Sequence, residues 1–537
     1  MGPEFESHLI PYSVTGKFKE IILQYLEGKE DIRSFFSLPV SWEGMEAAIA
    51  QRKKFPVDRS LLVSALRAQY QDIDPDPAVL ANIEALGDEN TFTICTAHQP
   101  NLLTGHLYFI YKILHTIRLA ESLSDRHPGY QFVPVYFMGS EDADFSELNH
   151  LYLDGKKYSW ESGQTGAFGR MKVDANLLKL LDDISGRLGV EPFGSEAIEL
   201  LRSCFQKGCT LEQATFLLVH ALFRQYGLVV FLPDNPVFKK VVVPIFREDI
   251  FERKSSRIVQ DTLARMQQHF KVQAQPRDIN LFYLNEGLRN RIVAVEDHFV
   301  IHDTDLVFDR TQMENELQTH PERFSPNVIL RALFQEILLP DLAFIGGGGE
   351  LSYWFELKDL FDHYQVPFPM LVLRNSFLVV EEKYRLLMEK LGISASELFL
   401  PAQDIVNALI GRDTHLHLSI EPEISQMHGL YRTLKERAAA IDTTLVSHIE
   451  ALETAATNKL SGLTTKMLRA QRRKMTDEKR QAEKLKTALF PESNLQERTE
   501  NYLLPYSKWG PRFMEVLFDY SLNLEQQFCV LIEKSRP

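Results

Sequence analysis

The chain has 537 residues, more than one ordinary hydrophobic core accommodates, so a main domain of about 250 to 300 residues with additions is expected. A hydrophobic share of 45% with 25% charged residues is that of a soluble globular protein, and a net charge of −14 argues against a general nucleic-acid or anionic-membrane surface, which needs a basic face. Four scattered cysteines, Cys95, Cys204, Cys209 and Cys529, do not make a disulfide framework, and no run of about 18 apolar residues appears, so a cytoplasmic protein without a membrane span is expected. The opening MGPEF reads as a remnant preceding the native chain.

Residues 15–85 carry helical patterns interrupted by Pro39 and Pro56. The stretch TFTICTAHQPNLLTGHLYFIYK then predicts a buried strand at 92–96, a polar loop from Ala97 to His106, and a helix on which Leu107, Ile110, Tyr111, Leu114 and Ile117 recur at helical spacing. A second apolar strand at 133–137 opens into Gly139-Ser140-Glu141-Asp142-Ala143-Asp144, as a βαβ unit would give. LYLDGKKYSW reads as a hairpin around Asp154-Gly155, residues 178–225 as helical, and GLVVFL at 227–232 as another buried parallel strand. Residues 281–308 alternate like antiparallel strands, and 328–338 form a helix after Ser325-Pro326-Asn327. A strand at 342–345 runs into Gly346-Gly347-Gly348-Gly349-Glu350 and a further helix, and 369–373 supplies a last strand ending at Arg374.

Four consecutive glycines are costly to order, and a ligand approaching the backbone closely would offset that cost; a flexible surface loop is the plainer alternative. Past residue 401 the pattern becomes that of a coiled coil, with Leu434, Ala438, Ile441, Leu445, Ile449, Leu452, Ala456, Leu463 and Met467 spaced by threes and fours. One helix is expected to end near Ala440, Asp442-Thr443-Thr444 to cap the next, and that next helix to run unbroken to about Leu489.

Four segments in one order, TAHQPNLLTGHLYFIYK, FVPVYFMGSEDADFSELNH, LAFIGGGGELSYWFELK and LFPESNLQERTENYLLPY, resemble the BshC family of cysteine-adding enzymes of bacillithiol biosynthesis. The resemblance implies an α/β fold: a Rossmann-like parallel-sheet core related to the class I aminoacyl-tRNA synthetases, with two connecting inserts, a C-terminal α-helical coiled coil and a homodimer formed through it. On that plan residues 1–155, 226–260 and 326–400 form the core, 156–225 and 261–325 the inserts, 401–490 the coiled coil, and 491–537 returns to the core. The implied reaction joins cysteine to glucosamine-malate by an amide bond, with ATP as cosubstrate and Mg2+ as a further expectation. No nucleic acid and no membrane are expected as partners.

By the same resemblance Thr104, Gly105, His106 and His98 match a synthetase-type HIGH loop, of which only the Gly-His pair is literal. The catalytic expectation falls on His106, His98, Asp142 and Asp144, and nucleotide binding on Thr104, Gly105, Gly347, Gly348, Arg498 and Lys508. Glu141, Asn149, His150, Glu350, Tyr353 and Trp354 are assigned to substrate. Asp144 could equally be a helix cap, His106 a first-turn polar residue, and each lone cation a solvated charge. Where the family carries His, this chain has Ala143. Lys466-Met467 and Lys474-Met475-Thr476 look like pieces of a synthetase lysine loop but fall inside the expected long helix, which rules them out and leaves a catalytically silent nucleotide-binding scaffold as the alternative reading.

Overall fold

The computed structural model describes residues 4–73, 76–412 and 420–535. Five parallel strands make the central sheet: β1 (Thr91–His98), β2 (Gln131–Met138), β3 (Val229–Phe231), β4 (Asp341–Gly346) and β5 (Met370–Leu373), in the order β5-β4-β1-β2-β3. The pairings are parallel throughout, with Thr91 opposite Gln131 and Gly346 opposite Leu373. Each strand is buried along nearly its whole length because it is covered on both faces, which is what parallel sheets require. Phe92, Ile94, Leu119, Leu123, Leu342, Ile345 and Val372 pack into one such layer, each contributing about 1.5 to 3 kcal/mol by leaving water.

The chain runs outward from β1 through α1 (Tyr108–Arg126) to β2 and β3, then returns to the opposite side of β1 to lay down β4 and β5. Consecutive connections therefore diverge between β1 and β4. In an open sheet of this kind that divergence leaves a crevice beyond the carboxyl ends of the two strands. Helix α2 (Val328–Leu338) precedes β4, and α3 (Gly348–Phe355) follows it.

Two insertions interrupt the core. The first holds a hairpin, His150–Leu153 against Lys156–Ser159, whose turn residues Asp154 and Gly155 both have positive φ, and then three helices where one helical stretch was expected. The second holds an antiparallel sheet in the order Val307–Asp309, His298–Ile301, Leu288–Val295, Leu281–Asn285, Phe324–Pro326. Its last strand leads directly into α2. Phe5–Pro11 pairs antiparallel with Gln527–Glu533, and Phe5 is buried edge-on against Trp509.

Contacts divide the chain into Met1–Leu378 with Asn494–Pro537, and Val379–Ser493. The second unit is helical. Its hairpin consists of α4 (Glu421–Ala439) and α5 (Leu445–Lys474), with Asp442 accepting from the Thr444 N–H at 2.8 Å at the turn and Lys435 paired to Glu453 at 2.6 Å across it. The expected unbroken helix is two: Met475, at φ −90° and ψ 48°, separates α5 from α6 (Thr476–Leu489). Lys474-Met475-Thr476 thus lies at a helix break and not in a helix interior.

Candidate active site

A cavity of about 390 Å³ opens beyond the carboxyl ends of β1 and β4. His98 and Gln99 line it from the end of β1, Gly347, Gly348, Gly349 and Glu350 from the start of α3, and Gly139, Glu141 and Asp142 from the end of β2. None of the four consecutive glycines has a positive φ. A Cβ at Gly346 would lie 2.6 Å from a Leu351 methyl and 2.7 Å from the Phe344 ring, so packing excludes a side chain there, whereas one at Gly349 would project into open space. The glycines thus let the chain leave the sheet tightly and leave the amino end of α3 uncovered. Its first N–H groups have no partner within the helix and carry the positive end of the helix dipole.

Around that end stand arginines from separate parts of the chain. Arg374, just past β5, is buried and donates to Glu497 at 2.7 Å and to the Asn375 carbonyl at 2.9 Å, with its guanidinium 5.2 Å over the Tyr108 ring. Arg331 of α2 donates to the Tyr353 hydroxyl at 3.0 Å. Arg498, also on the lining, has no ion pair among the described residues. Glu350, a carboxylate on the cavity lining, belongs to this end. Its Oε2 accepts the Gly347 N–H at 2.8 Å, and both oxygens accept from Lys112 of α1, at 2.8 and 2.7 Å.

The opposite wall is acidic. Glu141 is buried and paired with the fully buried Lys239, which also meets Asp234 at 3.3 Å; Asp234 in turn takes a two-pronged contact from Arg170 at 2.7 and 2.8 Å. Burial pushes the Glu141 carboxyl up, against the pull of Lys239. Asp142 accepts from Gln99 at 3.0 Å and lies 3.9 Å from Arg289. Burial opposes its ionisation, but Arg289, Gln99 and Arg331 outweigh that, so its pKa falls below the usual aspartate value. Glu147 completes this wall, its pKa raised by burial and by Asp144 and Asp142. The charged lining is balanced, four carboxylates (Glu141, Asp142, Glu147, Glu350) against four guanidiniums (Arg289, Arg331, Arg374, Arg498).

The two loop histidines separate in role. His98 reaches the cavity, its Nε2 3.5 Å from the Tyr108 hydroxyl; burial, with Lys112 and Arg331 nearby, holds its pKa well below 6.5, so it is a neutral imidazole at pH 7. His106 does not line the cavity. Its Nδ1 sits 3.1 Å from the Thr499 carbonyl, its ring lies 5.7 Å from Tyr108, and burial lowers its pKa to about 4. It reaches the site through its ring contact with Tyr108.

Several other sequence-based assignments also fall outside the lining. Thr104 and Gly105 form a left-handed turn, φ +71° and +66°, in which a Cβ at Gly105 would lie 2.8 Å from that of Asn101; the glycine serves the turn, not a ligand. Asn501 clamps this turn by donating to the Leu103 carbonyl at 3.0 Å and to that of Gly105. Asp144 caps the helix Phe145–Leu148, accepting from the Glu147 N–H at 3.2 Å. Asn149 donates to the Trp160 carbonyl at 3.1 Å and holds His150 at 3.2 Å beside the hairpin. Trp354 is core, in tilted contact with Phe344 and Phe361 and edge-on to Phe368. Lys508 also lies away from the cavity. His98, Glu141, Asp142, Gly347, Gly348, Glu350, Tyr353 and Arg498 are brought together, whereas Gln99, Tyr108, Arg289, Arg331 and Arg374 were missed. Position after a strand's carboxyl end was a usable signal for Gln99 and Arg374. For Arg289 and Arg331 the sequence offered none.

Comparison with known proteins gives one answer over the whole length. The profile of the bacillithiol biosynthesis BshC N-terminal Rossmann-like domain matches residues 5–375, and that of the BshC C-terminal coiled-coil domain matches 377–533. A protein of Flavobacterium johnsoniae named "Putative cysteine ligase BshC" is 36% identical over 97% of this chain and 99% of its own. One of the same name from Christiangramia forsetii is 35% identical over 98% of this chain and 99% of its own.

Proposed function

Because the chain belongs to the BshC family of bacillithiol biosynthesis, we propose that it is the ligase that joins the carboxyl group of L-cysteine to the amino group of glucosamine-malate, with ATP activating the carboxylate. The observation that supports this reading most is the meeting, in one cavity, of the open amino end of α3 and three arginines with an ionised aspartate and a neutral imidazole.

Amide formation needs three things of these residues. The phosphate chain of ATP needs donors that do not reorganise as charge builds, and the N–H groups of Gly348 and Gly349 with Arg331, Arg374 and Arg498 are such donors. The ammonium of cysteine needs a carboxylate; Glu141 is already committed to Lys239, which leaves Asp142 and Glu147. The attacking amine must lose a proton as its nitrogen bonds to the activated carbonyl carbon and the phosphoryl oxygen departs. His98, kept neutral by burial, can accept that proton. Among the described residues no three His, Cys, Asp or Glu side chains converge to hold a metal. A Mg2+ ion would therefore be held chiefly by the phosphates and water, with Asp142 the nearest candidate side chain.

The coiled coil suits a homodimer. Leu430 (60% exposed), Leu452 (47%) and Leu463 (43%) leave an apolar stripe open along the hairpin of a single chain. Among the described residues no helix is long and apolar enough to cross a membrane. Purified protein with glucosamine-malate, cysteine and ATP is expected to yield the amide product by mass spectrometry, with light scattering giving a dimer mass. Nucleotide binding without product would favour the silent scaffold instead.

A further inference from the structure

Lys112, close behind the cavity, is only 1% exposed and does not line it. It stands on α1 and directs its ammonium to the Ala97 carbonyl at the end of β1 and to both oxygens of Glu350, so its three protons are all engaged. Burying an ammonium is costly unless it is fully paired, and burial does lower the Lys112 pKa, so this arrangement needs a reason. The reason lies above it. Glu350 occupies the third position of α3, 22% exposed on the cavity wall, where an uncompensated carboxylate would repel any anion approaching the helix's amino end.

We propose that Lys112 is a positioning residue. By saturating Glu350 from beneath, it cancels the charge of this carboxylate in the first turn of α3 and holds it against the Gly347 N–H, so that the N–H groups of Gly348 and Gly349 stay open to the anionic group of the substrate. Lys112 also spans the divergence of β1 and β4, tying the Ala97 carbonyl of one strand to the helix that follows the other. The inference rests on the reading of this end of the cavity as the phosphate site, and it separates the charge-setting residue from those that touch the ligand.

A sign pattern tests it. Lys112→Met is expected to raise KM for ATP, and the ATP Kd by calorimetry, roughly tenfold with a much smaller change in kcat, because one unbalanced negative charge then faces the phosphates. Adding Glu350→Gln in the same chain should recover most of that loss. Glu350→Gln alone, which leaves the Lys112 charge unbalanced, should bind ATP as tightly as the natural protein or more tightly; this variant decides the matter should Lys112→Met fail to fold. A purely structural role predicts the reverse, with both single variants weaker and the double weaker still, and that result overturns the proposal. Natural protein that ignores ATP but binds tripolyphosphate or glucosamine-malate would sink the nucleotide reading alone, and the same three variants are then compared on that anion. Silence toward all three anions overturns both.

Discussion

The two ends of the same parallel sheet carry buried charge in opposite ways. Where β4 begins, Arg52 donates to the carbonyls of Asp341 and Glu336, each at 2.8 Å, and to the Glu336 carboxylate, while Asp341 accepts from Thr93 at 3.0 Å. The side chains of Arg52 and Glu336 are at most 1% exposed. Where β4 ends, Arg331 and Arg498 face a cavity, and Arg374 is held by Glu497 while still lining it. Fully paired charge locks a junction; incompletely paired charge beside uncovered N–H groups is available to a substrate. The strand direction decides which end is which, because helix amino ends and the loop divergence fall at the carboxyl tips.

This contrast can be broken from either end. Arg52→Ala should be the most damaging change, about 3 to 5 kcal/mol of stability by urea unfolding, since it strands buried carboxyl groups without their partner. Arg498→Ala should do the opposite: KM for ATP rises about tenfold or more, while the unfolding free energy stays within about 0.5 kcal/mol. The pH response separates the ends as well. Burial raises the pKa of Asp341 well above its ordinary value, and the adjacent Glu336 raises it further; burial also raises Glu336 against the pull of Arg52. The folded protein therefore keeps a proton that the unfolded chain releases in the ordinary carboxylate range, and stability should fall as pH rises from there through the folded value, by up to about 1.4 kcal/mol per pH unit. Asp341→Asn should flatten that slope, and equal slopes in the two proteins would refute the shared proton. The smallest effect is expected of Asp144→Ala, about 0.5 to 1 kcal/mol for a lost helix cap, with kcat/KM for the ligase reaction within about twofold.

Much of the fold was legible because strand and helix periods are local. The β1-loop-α1 order, the apolar runs of β2, β3 and β4, the last strand, and helix 328–338 all lie within a residue or two of their expected places. The site was legible only where it coincides with strand tips, as at His98, Asp142 and Gly347. Asp144 and His106 share a loop with true lining residues, yet a cap geometry and the pull of the Thr499 carbonyl turn them away. Arg331 and Arg289 look like solvated charges in sequence because their partners, Tyr353 and Ser325, lie 22 and 36 residues off. The break at Met475 has no Gly or Pro to announce it, and the structure offers no physical account of why the helix stops there.

The stretch after Asn494 belongs to the same unit as the sheet. It provides Arg498 to the cavity, Glu497 to anchor Arg374, Asn501 to clamp the turn at Leu103–Gly105, and the strand that seals Phe5–Pro11. A nascent polypeptide emerging from the ribosome thus has the strand Phe5–Pro11 without a mate and its pocket without a wall until the residues past Asn494 have been made. Premature termination anywhere in the coiled coil should leave no residual turnover, only an unsealed core open to proteolysis.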